Sequence, residues 1–163
     1  MGGLGLKGII FAAFTLVVAG SAAQACPDYS LQAGESYRAG GGQLRSPSFF
    51  NVVAGGDNYI WNCPSIKPGT DQGAGYFTSA PDFRFFFEGM AGLQLVLSVD
   101  SQCDSALLIN TASGNWYYDD DDNGNYDPRI VLTRPADGQI DIWIGTYDGQ
   151  YCDATLRMET FSR

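Results

Sequence analysis

The acidic run at residues 119–128 is the part of the sequence whose residue types and spacing point most directly to chemistry. Oxygen-bearing side chains recur there at alternate positions, namely Asp119, Asp121, Asn123, Asn125 and Asp127. Ca²⁺ takes six to eight oxygen ligands, and a glycine such as Gly124 lets a loop turn sharply around the ion. The sequence therefore predicts a metal site formed by these five side chains, with Ca²⁺ as the cofactor.

The run is not an EF-hand, although it begins like one. Ile130 stands where the loop would need its bidentate glutamate, and the flanking residues 116–118 and 130–132 have strand character rather than helix character. Two interpretations remain, a calcium-binding turn between two strands and a solvated acidic hairpin loop built on turn-forming Asn and Gly residues.

Catalytic chemistry finds little support in the residue types. The chain has no histidine, which excludes a Ser-His-Asp triad, a Cys-His pair and a histidine-ligated zinc site. A pair of carboxylates could still hydrolyse a glycoside, and Glu88, Asp100 and Asp141 are candidates by their number rather than by any pattern. We therefore predict that the protein is not an enzyme, with a carboxylate-based polysaccharide hydrolase as the alternative.

Exposed-looking aromatic residues could form a binding platform for a sugar or a peptide. The candidates are Trp61, Trp116, Tyr117, Tyr118, Trp143 and Tyr147, and the first choice among them is Trp61, Trp116, Tyr118 and Trp143. The competing interpretation is that they are core residues, because aromatic side chains on strands usually pack inside.

The amino terminus has the build of a secretory signal. Lys7 is followed by an uncharged apolar stretch at residues 9–19 and by Ala23-Gln24-Ala25, an A-x-A cleavage site. Residues 1–25 are predicted to be removed, which leaves a periplasmic or secreted protein with no stable membrane span. A retained anchor and lipidation of Cys26 are the alternatives, but the apolar stretch is short against the roughly 20 residues that a bilayer requires.

All four cysteines fall in the predicted mature chain, as expected for two disulfides in an exported protein. Three pairings are open. Cys26–Cys63 and Cys103–Cys152 are favoured, because Cys103 and Cys152 each stand just before a strand in similar surroundings.

The charge balance limits the partners. The chain has 9 basic and 18 acidic residues, a net charge of −9, and Lys7 lies in the predicted signal. Such an acidic domain repels nucleic acid and anionic membrane surfaces.

Alternating polar and apolar residues predict strands through most of the mature chain, with almost no helix. The clearest examples are residues 93–99 and 140–144, and turn residues separate such stretches at short intervals. This pattern is typical of a β-sandwich or barrel. Residues 26–80 are less regular and are predicted to form an amino-terminal β extension or sandwich edge, whereas residues 81–163 carry the core.

The second half of the chain resembles the bacterial pre-peptidase C-terminal domain family. Residues 104–109 match the strand element D-x-x-L-x-[LIV] of such domains, and a paired acidic turn follows at residues 119–121. The matching pieces are residues 80–83, 93–99, 103–110, 114–121, 125–130 and 138–147. The resemblance implies an all-β, jelly-roll-like β-sandwich and a non-catalytic module, some members of which bind calcium at acidic loops. No peptidase domain accompanies the module in this sequence.

These observations predict an exported, non-catalytic binding or interaction module, stabilised by calcium, whose partner is a protein or a glycan. A structural surface protein or a partner of a secreted peptidase is a further alternative.

Overall fold

The computed structural model describes residues 25–163, so the predicted signal at residues 1–25, except for its last residue, and its cleavage lie outside the described residues. Within residues 25–163 the chain forms eleven strands and two short 3₁₀ turns, at Gln43–Arg45 and Ile60–Asn62. The strands are β1 (Glu35–Gly40), β2 (Ser48–Ala54), β3 (Asn58–Tyr59), β4 (Tyr76–Phe77), β5 (Phe83–Glu88), β6 (Leu93–Ser101), β7 (Ser105–Asn110), β8 (Trp116–Asp119), β9 (Arg129–Leu132), β10 (Gly138–Thr146) and β11 (Cys152–Ser162).

Two sheets pack face to face as a sandwich, which confirms the predicted all-β class. The larger sheet contains β1, β3, β4, β5, β7, β8 and β10, and the smaller one has the order β2-β11-β6-β9. Within the larger sheet β10 is the organising strand, because it pairs antiparallel with β5, β7 and β4. Among residues 25–163, no helix is long and apolar enough to cross a membrane.

Residues 26–80 contribute strands to both sheets. β1 runs parallel to β5 at the edge of the larger sheet, and β2 pairs with β11 at the edge of the smaller one. The amino-terminal segment is thus part of the same sandwich rather than a separate unit.

The main core lies between the two sheets and follows from the period-2 pattern. Leu95, Leu97 and Val99 on β6 and Ile140, Ile142 and Ile144 on β10 all point into it. Phe85 is fully buried at its centre, stacked on Tyr37 with ring centroids 5.2 Å apart and on Phe87 at 5.6 Å.

A second core covers the outer face of the larger sheet, so β7 and β10 are buried on both faces. It consists of Ile60, Cys63, Ile66, Phe77, Ala106, Leu108, Tyr118 and Trp143. The Cys26–Cys63 disulfide lies at this cluster, with its Cα atoms 5.6 Å apart. Close approach here requires glycine: a Cβ on Gly56 would lie 2.0 Å from the carbonyl carbon of Phe77.

Removing the central ring of the main core tests the packing. We expect Phe85→Ala to lower the free energy of unfolding by about 3–5 kcal/mol, because it deletes a buried aromatic side chain and leaves a cavity. Phe49→Ala is the matched control, since 59% of Phe49 is exposed, and it should change stability by less than about 0.5 kcal/mol. Urea unfolding measures both, and equal effects would contradict this description of the core.

Candidate functional site

The predicted calcium loop crosses from one sheet to the other. It leaves β8 in the larger sheet and enters β9 in the smaller one. The alternative interpretation as a hairpin loop is therefore wrong, because its two flanking strands do not pair with each other. The loop is closed by its own backbone bonds, Asn123 N to Asp127 O and Asp127 N to Gly124 O.

The two ends of this loop are fixed by buried carboxylates. Asp119 accepts hydrogen bonds from the backbone N–H groups of Asp122 at 3.1 Å and Arg129 at 2.7 Å. Burial raises the pKa of Asp119, and these two hydrogen bonds oppose that rise. Asp127 accepts hydrogen bonds from Ser101 N and Ser101 Oγ, and from Ser105 Oγ at 2.7 Å. Both carboxylates therefore stabilise the protein's own turn.

Three of the five predicted calcium ligands, Asp119, Asn123 and Asp127, use their side chains in hydrogen bonds within the protein. Asn123 turns its amide nitrogen inward, donating to Val99 O at 2.8 Å, and Asn125 lies in the left-handed region with φ of 54°. Within residues 25–163, no group of three or more histidine, cysteine or acidic side chains has an arrangement that could hold a metal ion. Calcium binding at Asp119, Asp121, Asn123, Asn125 and Asp127 stays a prediction.

Three loops meet beside this turn and form what we call the loop end, residues 102–105, 120–128 and 147–152. Ser105 N donates to Tyr126 O at 3.1 Å, and Tyr147 N donates to Asp104 O at 2.9 Å. The Cys103–Cys152 disulfide joins the first loop to the third, with its Cα atoms 6.4 Å apart. The structure thus has both cysteine pairings that the sequence favours.

The loop end exposes tyrosines and carboxylates together. Tyr126, Tyr147 and Tyr151 are 69%, 51% and 57% exposed. Tyr126 also has a positive φ of 60°, which is an outlier for a bulky residue. The pKa of Asp104 is raised, first by burial and then by the nearby charges of Asp121, Asp148 and Asp127. Of these three, the sequence singles out Tyr147 as an exposed aromatic, but it does not bring Tyr147 together with Tyr126 and Tyr151, because their loops are apart in the chain.

The predicted aromatic platform does not form as a flat surface. Trp143 is 0% exposed and Tyr118 is 1% exposed. Both lie in the second core, where Trp143 packs on Trp116 with centroids 5.3 Å apart. The prediction is wrong for these two because their strands are covered on both faces. Trp61 stays 56% exposed and lines a cleft of about 250 Å³ together with Tyr118, Lys67 and Gln72.

The three carboxylates proposed for hydrolysis are separated. Asp141 is buried and ion-paired with Arg84 at 2.6 Å. Glu88 pairs with the exposed Arg38. Asp100, on β6, lies beside the side chain of Asn123. None of the three shares a site with another.

A larger groove, of about 680 Å³, lies beside β2, which we call the β2 groove. Glu35, Asp82 and Asp153 line it, together with Asn51 and Val53 of β2. Asp82 accepts a hydrogen bond from Ile144 N at 2.7 Å. Burial raises the pKa of Asp82 to about 7, although that hydrogen bond opposes the rise.

Comparison with known proteins leaves the family open. No protein-family model matches the chain, and no curated protein sequence matches it. Among solved structures, the chain is similar to PliG of Aeromonas hydrophila, a periplasmic inhibitor of g-type lysozyme, with 8% identity over 78% of this chain and 98% of the other and a TM-score of 0.42. It is also similar to the pre-peptidase C-terminal domain of a Bacillus anthracis collagenase, with 12% identity over 80% and 99% of the two chains and a TM-score of 0.44. Membership of the pre-peptidase C-terminal family stays a prediction.

The calcium prediction is tested by melting. If the loop holds Ca²⁺, the Tm should rise on adding the ion and fall on adding a chelator, because a ligand at 100 times its Kd stabilises the native state by about 2.7 kcal/mol. Asp121→Ala should remove the response, whereas Asp153→Ala, outside the loop, should retain it. An unchanged Tm in the wild-type protein would contradict the prediction.

The pKa of Asp82 predicts a pH dependence of stability. Because the folded-state pKa of about 7 lies above the unfolded value, the contribution of protonated Asp82 is complete below pH ~4 and lost as pH rises through 7. The wild-type free energy of unfolding should fall relative to that of Asp82→Asn by up to about 4 kcal/mol between pH 4 and 8, at about 1.4 kcal/mol per pKa unit.

Urea unfolding across this pH range measures the difference between Asp82→Asn and the wild type. Asp153→Asn controls for the loss of one charge beside the same groove. Parallel curves for Asp82→Asn and the wild type would show that Asp82 is not the cause.

Proposed function

We propose that this protein is an exported, non-catalytic binding module whose loop end engages a cationic surface of a partner protein. The observation that carries the proposal is that three exposed tyrosines, Tyr126, Tyr147 and Tyr151, stand on loops that are tied to one another. Tyrosine is enriched at protein interfaces, because its ring buries a large apolar area and its hydroxyl can stay hydrogen-bonded.

The loop end is organised before any partner arrives. Asp127 accepts three hydrogen bonds from the two serines Ser101 and Ser105, and the Cys103–Cys152 disulfide closes the neighbouring loops. A surface that is already ordered loses less conformational entropy on binding. The positive φ of Tyr126 costs of order 1–3 kcal/mol, and the surrounding hydrogen bonds hold the residue in that conformation.

The negative charge of the loop end favours a partner whose contact surface is positively charged. Burial raises the pKa of Asp104, and the nearby charges of Asp121, Asp148 and Asp127 raise it further. A cationic group from a partner would relieve this repulsion. Complementary charge also accelerates association and excludes partners of the wrong sign.

Export and the absence of catalysis complete the proposal. Two disulfides link the described residues, and such bonds persist outside the reducing cytoplasm. The sequence contains no histidine, and the carboxylates Glu88, Asp100 and Asp141 do not meet in the structure.

A glycan partner is the second candidate. Trp61 is exposed beside Lys67 and Gln72 in a cleft floored by Ile60 and Ile66. An indole flanked by hydrogen-bonding groups suits a sugar ring, whose faces are apolar and whose rim is polar.

The loop end is tested by a double substitution. The mature protein serves as bait in a periplasmic or culture extract, the captured protein is identified by mass spectrometry, and its purified form is titrated calorimetrically. Tyr126→Ala with Tyr147→Ala should weaken binding at least tenfold, because hot-spot aromatic side chains contribute about 2 kcal/mol or more each. Added salt should also weaken binding.

Tyr29→Ala is the matched control, since Tyr29 is 50% exposed away from the loop end. A partner that tolerates the double variant but not the control would overturn the proposal, and turnover in a glycan or peptide hydrolysis screen would overturn the non-catalytic part.

A further inference from the structure

The outer edge of β2 offers an unoccupied row of backbone groups. Arg163 N donates to Gly92 O, in line with the register that pairs Ser162 with Leu93. In an antiparallel pair of strands, hydrogen-bonded and non-hydrogen-bonded residue pairs alternate. Since Arg163 is bonded to the β6 side, the odd-numbered residues of β11 direct their backbone groups to β6 and the even-numbered ones direct theirs to β2. The bond from Val99 N to Pro128 O on the other side of β6 has the same phase.

The register between β11 and β2 determines which backbone groups of β2 point away from the sheet. Ala154 is opposite Val52 and Leu156 is opposite Phe50, so the backbone groups of these β2 residues bond to β11. The N–H and C=O groups of Phe49, Asn51 and Val53 therefore point away from the sheet. The N–H of Gly55, the next odd-numbered residue, also points away from β11 and donates to Ile144 O. No partner within residues 25–163 is recorded for the outward backbone groups of Phe49, Asn51 and Val53.

Among residues 25–163, this edge lacks the features that protect edge strands from pairing. Residues 48–54, SFFNVVA, contain no charge and no proline, and Phe49 and Val53 are 59% and 56% exposed. Natural proteins block such edges with lysine, proline, a bulge or a covering segment. An unblocked edge is suited to strand addition, in which main-chain hydrogen bonds supply affinity and side-chain pockets supply specificity.

The charge of the β2 groove beside this edge determines which kind of segment binds there. Its carboxylates are Glu35, Asp153 and Asp82, the last of which is ionised only above its pKa of about 7. Among residues 25–163, no basic residue lines the groove. The described ion pairs engage other acidic residues, namely Glu88, Asp141 and Glu159. The groove therefore favours an incoming lysine or arginine side chain, and a second copy of this acidic chain would bring like charges together.

We propose that β2 binds an extended segment of a partner protein as an added strand, with one basic side chain of that segment entering the β2 groove. The site differs from the loop end in residues and in chemistry, so the inference goes beyond the proposed function, and either can fail while the other holds.

The probe is a seven-residue peptide of alternating threonine and valine with lysine at its centre. It is titrated into the mature protein and followed by amide NMR shifts and hydrogen exchange. We expect the amides of Phe49, Asn51 and Val53 to shift and to become protected, and we expect a peptide with glutamate at its centre to bind at least tenfold more weakly.

Asn51→Pro isolates the backbone contribution. Proline is tolerated on an edge strand where the N–H faces outward, so the pairing of β2 with β11 should survive while the peptide loses at least tenfold in affinity. Val131→Pro is the matched control. Val131 lies on β9, the opposite edge of the same sheet. Its neighbour Ile130 is paired with Leu97 and bonds to β6, so the N–H of Val131 points outward. This variant should therefore bind the peptide as the wild type does.

A second test does not depend on the variant folding. Methylating the peptide's bonding amides removes its hydrogen bonds without changing the protein and should abolish binding. The proposal is overturned if the methylated peptide binds as well as its parent, if folded Asn51→Pro keeps full affinity, or if the three amides do not respond to millimolar peptide. It is also overturned if sedimentation shows the protein alone to be a dimer with these amides protected.

Discussion

The pairing of β10 with three other strands is the constraint on which the rest of the structure depends. β5 and β7 flank it on its two sides, and β4 meets it at Thr146. A strand in this position has its backbone satisfied on both sides, so its side chains determine what covers each face of the sheet. The isoleucines face the smaller sheet, and Trp143 faces outward into the second core. The second core in turn requires the irregular segment at residues 60–75 to lie across it.

This arrangement leaves the two proposed binding surfaces at the margins of the sandwich. The loop end lies where the connections β6–β7, β8–β9 and β10–β11 meet, and the β2 groove lies along the open edge of the smaller sheet. Loops on a rigid scaffold commonly carry binding residues, because they can vary without disturbing the core. Here the scaffold also provides the anchors: Ser101 ends β6 and Ser105 begins β7, and both hold Asp127.

The sequence was sufficient to predict the strands, because alternation is a local property. Residues 93–99 and 140–144 read correctly as strands, and similar surroundings pointed to the Cys103–Cys152 pair. It could not show that the larger sheet is covered on both faces. For that reason alternation alone leaves Trp143 and Tyr118 on an outer face, as platform candidates or as core residues, and the structure places both in the core.

The site was harder to predict, because it depends on contacts between distant segments. The acidic run is visible in the sequence, but most of the hydrogen bonds that Asp119 and Asp127 accept come from residues at β9, β6 and β7. Composition cannot distinguish a carboxylate that binds an ion from one that caps a turn. Likewise, the outward backbone groups of β2 depend on strand order, which periodicity does not specify.

The Cys103–Cys152 bond has a consequence for the motion of one loop that carries tyrosines. It spans 49 residues and ties the β6–β7 connection to the start of β11, beside the backbone hydrogen bond from Tyr147 N to Asp104 O that joins the same two loops. In a reduced chain the inner strands can still form, since their pairing does not involve these sulfurs, but the loop that carries Tyr147 and Tyr151 is then held to the β6–β7 connection by hydrogen bonds alone. Oxidation therefore restricts the motion of this loop without changing the sandwich beneath it.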